Sequence, residues 1–280
     1  MAIVTISRGS MSGGEAFAKC LACNLGYPVL GREVLVEAAA RLGVPETALR
    51  EKIQTSVGLI EKLTTDRRVY LVALQSALAD RCVSGNLIYH GNAGHFLLKD
   101  VPNVLRVRLI SPMVMRVRAV MEKENLTPEA AEEYIRYVDQ ERIEWTKFVY
   151  GVDWRDPRNY DVVINLHRVS LESACAMVSG LLSTPAYSTT EEVKKKLKDF
   201  ALACKVKVAL VIKPICKNCR FDAVADDGIV DIYWQPATSG ATQTPPEVIE
   251  EKIRQAVRTV NEVKAVTLHR RISSASDRAA

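Results

Sequence analysis

Residues 3–26 read IVTISRGSMSGGEAFAKCLACNLG, and this stretch decides the fold. Residues 3–6 are mostly β-branched and predict a buried strand, which is followed by a loop rich in glycine. Apolar side chains recur at helical spacing over residues 15–25, and Gly26 stands where a helix C-cap belongs. The stretch therefore predicts a strand, a glycine loop and a helix in succession.

The same alternation continues through residue 182. Further strands are predicted at 86–90, 103–110 and 160–165, and further helices at 32–42, 45–54, 66–84, 113–124, 128–149 and 170–182. Strands that alternate with helices indicate βαβ units. The fold class predicted for residues 1–184 is therefore α/β, with a parallel sheet covered by helices on both faces.

The segment STPAYSTT, residues 183–190, is rich in Ser, Thr and Pro and predicts a domain boundary, with the linker at 185–190. Beyond it the pattern changes to that of a small α+β domain over 191–272, with a tail at 273–280. Its predicted elements are a helix at 191–203, strands at 205–212, 221–225 and 229–234 with an Asp227-Gly228 hairpin turn, a helix at 247–260 and a strand at 263–269.

Composition excludes several classes of protein. The 280 residues are 48% hydrophobic and 25% charged, which is ordinary for a globular protein and excludes global disorder. The formal net charge of +5 is too small to indicate a dedicated nucleic-acid binder, so a nucleic-acid partner is not expected. No secretory leader or membrane-spanning stretch is recognisable, which favours a soluble cytoplasmic protein.

Seven cysteines are an odd number in a chain of this length, which argues against a disulfide framework and predicts mostly buried free thiols. Cys20 and Cys23 share the first helix, and Cys216 and Cys219 flank a turn, so the two pairs fall in different domains. A zinc site would need both pairs together, and no metal site is predicted. His90 and His95 stand near a strand end, which leaves two interpretations: a position near a substrate pocket, or a structural role, which is favoured.

The glycine loop is the first candidate for chemistry. Free backbone N–H groups and the helix dipole make such a loop a ready anion site, and glycine lets the backbone approach a phosphate closely. The usual phosphate loop also carries a Lys and a Ser or Thr after its last glycine, whereas Glu15 and Ala16 follow Gly14 here. Arg8 is a candidate for the missing charge, and Ser10 and Ser12 are candidates for the hydroxyl. The alternative is an ordinary turn between a strand and a helix.

Arginines concentrate between residues 106 and 168. Asp139 and Arg142 stand three apart on the long predicted helix and so share one face. Guanidinium groups stabilise the charge that develops on a phosphoryl group during its transfer, so this pattern favours phosphoryl transfer. The alternative is a solvated helix with surface ion pairs.

Four stretches of the sequence resemble one known family. The stretches VTISRGSMSGGEAFAKCLACNLGYPVLGREVLVEAA (4–39), PNVLRVRLISP (102–112), DQERIEW (139–145) and YGVDWRDPRNYDVVIN (150–165) resemble the cytidylate kinase-like family of P-loop nucleoside monophosphate kinases. The resemblance implies an enzyme that moves the γ-phosphoryl group of ATP, with Mg²⁺, to a nucleoside monophosphate, preferably CMP.

The resemblance also implies roles for residues. The nucleotide-binding residues would be Ser7, Arg8, Gly9, Ser10, Ser12, Gly13, Gly14 and Arg32, and the catalytic residues would be Arg116, Asp139 and Arg142. Arg32 would approach the monophosphate, Arg116 would approach ATP, and Asp139 and Arg142 would face the transferred group. Met11 stands where the family has glycine, and its side chain is expected to crowd a phosphate.

The C-terminal part resembles the BON family, on the strength of FDAVADDGIVDIYW (221–234) and the helix and strand that follow it. That resemblance implies binding to anionic lipid or to a protein partner. An alternative function for the whole chain follows from it: a catalytically inactive nucleotide sensor or scaffold whose BON-like domain docks to lipid or to a partner.

Overall fold

The computed structural model describes residues 2–47, 64–91, 93–213, 219–236 and 245–271. The chain divides into two compact units. The described residues of the first unit lie in 2–36 and 84–193, and those of the second lie in 37–47, 64–83 and 194–271.

Five parallel strands form the sheet of the first unit, in the order β2-β3-β1-β4-β5. The strands are β1 Ile3–Arg8, β2 Val29–Leu30, β3 Leu87–Tyr89, β4 Val104–Ile110 and β5 Val162–Asn165. The helices are α1 Gly14–Leu25, α2 Arg32–Leu42, α3 Thr64–Val83, α4 Gly94–Leu97, α5 Met113–Glu124, α6 Pro128–Tyr150 and α7 Leu171–Leu182, of which α3 and the end of α2 belong to the second unit. The predicted α/β fold class is confirmed, whereas the short strand β2 and the short helix α4 were not predicted.

Apolar strand residues explain why the sheet is central. Val4, Ile6, Leu105 and Val107 are at most 2% exposed and pack with Phe17 of α1 and with residues of α7 in one core. Strands buried on both faces have near-continuous apolar sequence, as the short strand β3 does, whereas β4 interrupts its buried apolar residues with two partly buried arginines. Because all five strands are parallel, their carboxyl ends meet at one edge of the sheet, where the glycine loop begins.

The second unit contains a three-stranded mixed sheet with order β6-β7-β8, in which β6 and β7 are antiparallel and β7 and β8 are parallel. Its elements are α8 Glu191–Val211, β6 Cys219–Asp226, β7 Ile229–Pro236, α9 Pro246–Val257 and β8 Ala265–Arg270. Asp227 and Gly228 both have positive φ, 45° and 83°, which confirms the predicted hairpin turn.

The strand predicted at 205–212 is wrong, because α8 continues through Val211. The run is β-branched and apolar, which favours a strand when only its composition is considered. Leu202, Val206 and Leu210 recur every four residues and are buried in the core of the second unit. Tertiary burial of this helical stripe therefore decides the conformation.

Residues 37–47 and 64–83 group with the second unit, although the sequence placed them in the first domain. The reason is packing: Ala79 of α3 lies in one buried cluster with Ala201 and Cys204 of α8. Lys205 of α8 also lies 3.7 Å from the carboxylate of Asp80. The predicted linker at 185–190 precedes the passage between units at residues 193 and 194, and the predicted domain limits themselves stay a prediction.

Cys20 of α1 and Cys175 of α7 form a disulfide pair, which is an exception to the expectation of mostly buried free thiols. The two helices pack side by side in the core of the first unit, so residues 155 apart in sequence are brought together. Among the other cysteines that the structure describes, Cys23 is exposed, and Cys82, Cys204 and Cys219 are buried. Cys216, and residues 48–54 of the predicted helix 45–54, lie outside the described residues.

Within the described part of the chain, no helix combines the length and the apolar character needed to cross a bilayer.

Candidate functional site

The glycine loop lies at the middle of the sheet, between the end of β1 at Arg8 and the start of α1 at Gly14. Gly13 is the N-cap residue of α1, with φ 79° and no side-chain capping hydrogen bond. The N–H groups in the first turn of a helix have no intrahelical acceptor, and the helix dipole favours negative charge there. The loop therefore has the geometry of an anion site.

The side chain of Met11, which was expected to crowd a phosphate, and that of Glu15, which carries a negative charge next to the loop, both point away from it. Met11, with φ 57°, packs against the apolar cluster of Val120, Ala131 and Ile135 on α5 and α6. The expectation that Met11 crowds a phosphate is therefore wrong, because burial against these helices draws the side chain away. Glu15 is exposed and pairs with Lys19 one turn along α1, with 2.8 Å between Nζ and Oε1.

Arg116 and Asp139 meet the loop at Ser10. The backbone N–H of Ser10 donates to Asp139 Oδ1 at 2.9 Å, and Arg116 Nε donates to the carbonyl oxygen of Ser10 at 2.6 Å. Arg116 Nη2 in turn donates to Asp139 Oδ2 at 2.6 Å. The side chains are 11% and 20% exposed, so this is a largely buried, charge-assisted network between the loop, α5 and α6.

Arg142, one turn beyond Asp139 on α6, reaches the end of β1. Its Nη1 donates to the carbonyl oxygen of Arg8 at 3.0 Å and lies 3.9 Å from Asp139 Oδ1. The Arg8 side chain runs beside the loop, and its Nη1 lies 3.4 Å from the carbonyl oxygen of Gly91, beyond β3. Three guanidinium groups thus surround a loop that Asp139 contacts with its carboxylate.

Gly14 is a point of close approach. A Cβ at this position would lie 2.8 Å from His90 Nε2 and 2.9 Å from Arg8 Cγ. Only a residue without a side chain leaves room for both groups, so the glycine here serves packing as well as backbone freedom. His90 follows the last residue of β3 and is held by its own N–H, which donates to the carbonyl oxygen of Leu30 at 2.8 Å.

The hydroxyl groups of Ser7 and Ser12 have different environments. The Tyr160 hydroxyl lies 3.0 Å from Ser7 Oγ, 3.2 Å from His95 Nε2 and 2.6 Å from the carbonyl oxygen of Trp154. Ser12 Oγ is buried and has no partner among the described residues. Buried polar groups are normally hydrogen-bonded, so Ser12 has unused capacity for a ligand.

Arg32 lies at the same edge of the sheet. It begins α2, two residues after β2 ends, and it is exposed. The backbone of the preceding residue, Gly31, is fixed by Glu33, whose Oε2 accepts its N–H at 2.8 Å. Arg32 is thus positioned on the side of the loop where β2 and β3 end.

Several basic groups of the site have lowered pKa values. Burial, and then the neighbouring guanidinium of Arg142, lower the pKa of Arg8 to about 10. Burial also lowers the pKa of Arg142, and Arg116 contributes to the same direction while Asp139 opposes it. Burial and then Arg8 lower the pKa of His90 to about 4. Burial is the main cause of all three shifts, and the negative charge of a bound anion would raise these pKa values again.

A cavity of about 800 Å³ lies along α6 in the first unit. Its lining residues are Met113, Glu129, Glu132, Glu133, Arg136, Tyr137, Asp139, Gln140, Ile143 and Arg155. This volume is within the range of small-molecule sites. Asp139 belongs to both the cavity and the loop network, so the two adjoin.

The structure brings together most of the residues that the sequence singled out, and it adds two. The residues that converge on the loop are Arg8, Ser10, Arg116, Asp139 and Arg142. The sequence favoured a structural role for His90 over a position near a substrate pocket, and it did not single out Tyr160. A histidine directly after a buried strand of a parallel sheet was the available signal for His90. His95 does have a partner in Tyr160, as expected for a structural histidine.

Comparison with known proteins gives a consistent family. The sequence profile described as the Cytidylate kinase-like family matches residues 3–168. A cytidylate kinase of Sulfurisphaera tokodaii is 24% identical over 184 residues, which are 65% of this chain and 95% of that protein. A cytidylate kinase of Methanosarcina acetivorans is 36% identical over 75 residues, which are 26% of this chain and 41% of that protein.

Among solved structures, a crystal structure of an uncharacterized protein from Eubacterium ventriosum covers 66% of this chain and 99% of its own. It has a TM-score of 0.50 and 19% sequence identity, a similarity that concerns the fold. The parallel five-stranded sheet with flanking helices is the α/β fold class predicted from the sequence. Since the profile covers more than half of the 280 residues, this chain belongs to the cytidylate kinase-like family.

Proposed function

We propose that the first unit binds ATP at loop residues 7–14 and transfers its γ-phosphoryl group to CMP or a related nucleoside monophosphate. The observation that carries this proposal is the charge arrangement at the loop. Arg8, Arg116 and Arg142 lie against its backbone, and the one carboxylate in this network is that of Asp139. A cluster with this excess of positive charge, at free helix N–H groups, is suited to a polyphosphate.

Each group has a distinct role in this proposal. The loop amides and Ser12 hold the ATP phosphates, and Arg142 approaches the transferred phosphoryl group from α6. Asp139 positions Arg116 and Ser10 through its two oxygens. Phosphoryl transfer involves little covalent chemistry by the protein, so positioning and electrostatic stabilisation account for the catalysis. Helices α5 and α6 also exclude water from the loop.

Mg²⁺ is the ion that accompanies ATP, and when bound it would neutralise negative charge on the phosphates. The loop fits this ion in one respect: Ser12 Oγ is buried and unpartnered in the described structure, and hydroxyl oxygens are suitable magnesium ligands. Ser12 is therefore the residue proposed to hold the ion together with the phosphates.

Calorimetry with ATP, with and without Mg²⁺, followed by a coupled assay with CMP tests the proposal. We expect ATP binding that strengthens with Mg²⁺, and ADP formation that depends on CMP. UMP and AMP serve as comparison acceptors for base specificity. Absence of ATP binding contradicts the proposed function, and binding without ADP formation for any monophosphate contradicts the kinase activity.

A second candidate function is a nucleotide sensor or scaffold without turnover. The observation that favours it is the sequence after the loop, where Glu15 and Ala16 follow Gly14, so the customary Lys and Ser or Thr are absent there. The sensor predicts that ATP raises the melting temperature while no ADP forms. The same calorimetric and coupled assays separate the two candidates.

Replacing Gly14 with alanine is expected to weaken ATP binding at least about tenfold. The new Cβ would lie within 3 Å of both His90 and Arg8, so the corner of the site must shift. Gly180→Ala is the matched control, since a Cβ there meets nothing within 4 Å and Ala favours the helix by roughly 0.5–1 kcal/mol. Calorimetric titration of both variants with ATP checks the prediction. Equal ATP affinities of Gly14→Ala and Gly180→Ala would contradict it.

The second unit carries a proposal of its own, that its BON-like region binds anionic lipid or a protein partner. The lysine-rich sequence of α8 supports an anionic surface as the ligand. Sedimentation of the full chain with vesicles of anionic and of neutral phospholipid tests this proposal. If the protein sediments with neither kind of vesicle, at low or at high salt, binding to anionic lipid is contradicted. The cytoplasmic location likewise stays a prediction.

A further inference from the structure

We propose that the imidazole of His90, together with Arg8, contacts the phosphate group of the acceptor nucleotide and takes up a proton as that nucleotide binds. This inference rests on the proposed function, and it adds to it a phosphate-recognising group and a dependence on pH. Three observations about the corner formed by Arg8, Gly14 and His90 support it.

The first observation is the position of His90 in the sheet. In the order β2-β3-β1-β4-β5, strands β2 and β3 lie on one side of the glycine loop and β4 lies on the other. His90 follows β3 and Arg32 begins the helix after β2, whereas Arg116 lies on the helix after β4. The loop thus has two flanks, each with its own basic groups. A kinase that binds two phosphate-bearing substrates needs basic groups for each of them, and the two flanks provide such groups.

The second observation is an unused polar atom. Nε2 of His90 is buried and has no hydrogen-bond partner among the described residues. It lies 2.8 Å from the position that a Cβ of Gly14 would occupy, which places it against the first residue of α1. A buried nitrogen without a partner costs free energy, so its retention beside the loop points to a ligand oxygen as its missing partner.

The third observation is the set of charges that face His90. Burial is the largest influence against the imidazolium; Arg8 on β1 and Arg142 on α6 act in the same direction, and Glu15 on α1 opposes them. The pKa of His90 is about 4 as a result, so the ring is neutral at pH 7. A phosphate dianion within hydrogen-bond distance adds negative charge and raises this pKa. Binding and proton uptake are then linked, and CMP binds more tightly as the pH falls through the raised pKa.

The experiment is an NMR titration of the histidine ring protons of the full chain, with and without CMP. The chain has four histidines, so the His90 resonance is assigned by its absence in a His90→Gln variant. We expect the pKa of His90 to rise by at least about one unit with CMP and to stay unchanged with cytidine, which lacks the phosphate. The other histidines serve as internal references. A CMP complex in which the pKa of His90 does not move overturns the inference.

Affinity provides an independent measurement. His90→Gln is expected to weaken CMP binding about tenfold at pH 6 while ATP affinity is retained, a loss typical of one charge-assisted hydrogen bond. His269→Gln is the matched control, because His269 pairs with Asp231 in the second unit. The phosphate of CMP itself titrates near pH 6, so the pH dependence of wild-type affinity is compared with that of His90→Gln.

The outcomes separate this inference from the proposed function. If CMP binds and is phosphorylated, but both variants bind it as the wild type does, only the role of His90 is overturned. If CMP does not bind to the wild type, the acceptor assignment and the role of His90 both fail. Loss of both ATP and CMP binding in His90→Gln would indicate a structural role and would also overturn the inference.

Discussion

Replacing Arg142 with alanine is expected to lower kcat/KM for phosphoryl transfer to CMP about a thousandfold. Arg142 lies on α6 with its Nη1 on the Arg8 carbonyl oxygen, where β1 passes into the loop. Guanidinium groups that stabilise the charge of the transition state contribute factors of about 10³ or more, and a thousandfold loss corresponds to roughly 4 kcal/mol. Steady-state kinetics of the coupled assay measure the loss.

The control for this variant is Arg136→Ala on the same helix. Arg136 pairs with Glu132 at 2.5 Å, and its side chain is 67% exposed, so its removal should change turnover little. The free energy of unfolding should also change little in Arg142→Ala. Removing the guanidinium loses its hydrogen bond but also ends its like-charge repulsion with Arg8. Equal rates for Arg142→Ala and wild type would remove Arg142 from the proposed mechanism.

Asp139→Ala is expected to have two effects: a loss of about 2 kcal/mol in the free energy of unfolding and a fall in kcat of about a hundredfold. Removing the carboxylate leaves the largely buried Arg116 without its ionic partner and the Ser10 N–H without its acceptor. Breaking a fully buried pair costs about 3–5 kcal/mol, and the partial exposure of this one reduces the cost. Turnover falls because Ser10 and Arg116 lose their common positioning group.

Two further variants isolate the cause. Asp139→Asn keeps an oxygen that can accept from Ser10 but removes the charge that pairs with Arg116, so it should retain part of the stability. Glu132→Ala removes an exposed carboxylate from the same helix and should cost less than about 0.5 kcal/mol. Chemical denaturation measures stability, and an unchanged midpoint in Asp139→Ala would show that the network is not structural.

Local signals predicted the elements of the first unit well. Helix α6 has its start encoded in Thr127-Pro128-Glu129, and the Thr127 hydroxyl does accept the Ala130 N–H, at 3.3 Å. In contrast, the end of α8 carries no local stop signal before Val211, and its apolar run is compatible with a strand or a helix. The outcome there depends on what the run packs against, which local sequence does not contain.

The candidate site was predictable in its parts but not in its connections. The glycine loop and Arg142 could be singled out from residue types and spacing alone. The contact between Ser10 and Asp139 joins residues 129 apart, and it depends on how α6 folds over the loop. His90 required the order of the sheet, since only adjacency of β3 and β1 brings it to Gly14.

The contact between Asp139 and the Ser10 amide makes the protein its own competitor for the loop. A nucleotide that uses this amide has to displace a carboxylate that is tethered to the same chain and therefore always present at high local concentration. The measured affinity is the intrinsic affinity reduced by the fraction of molecules in which the amide is free. Occupancy of the Ser10 amide is consequently a competition between the ligand and the Asp139 carboxylate.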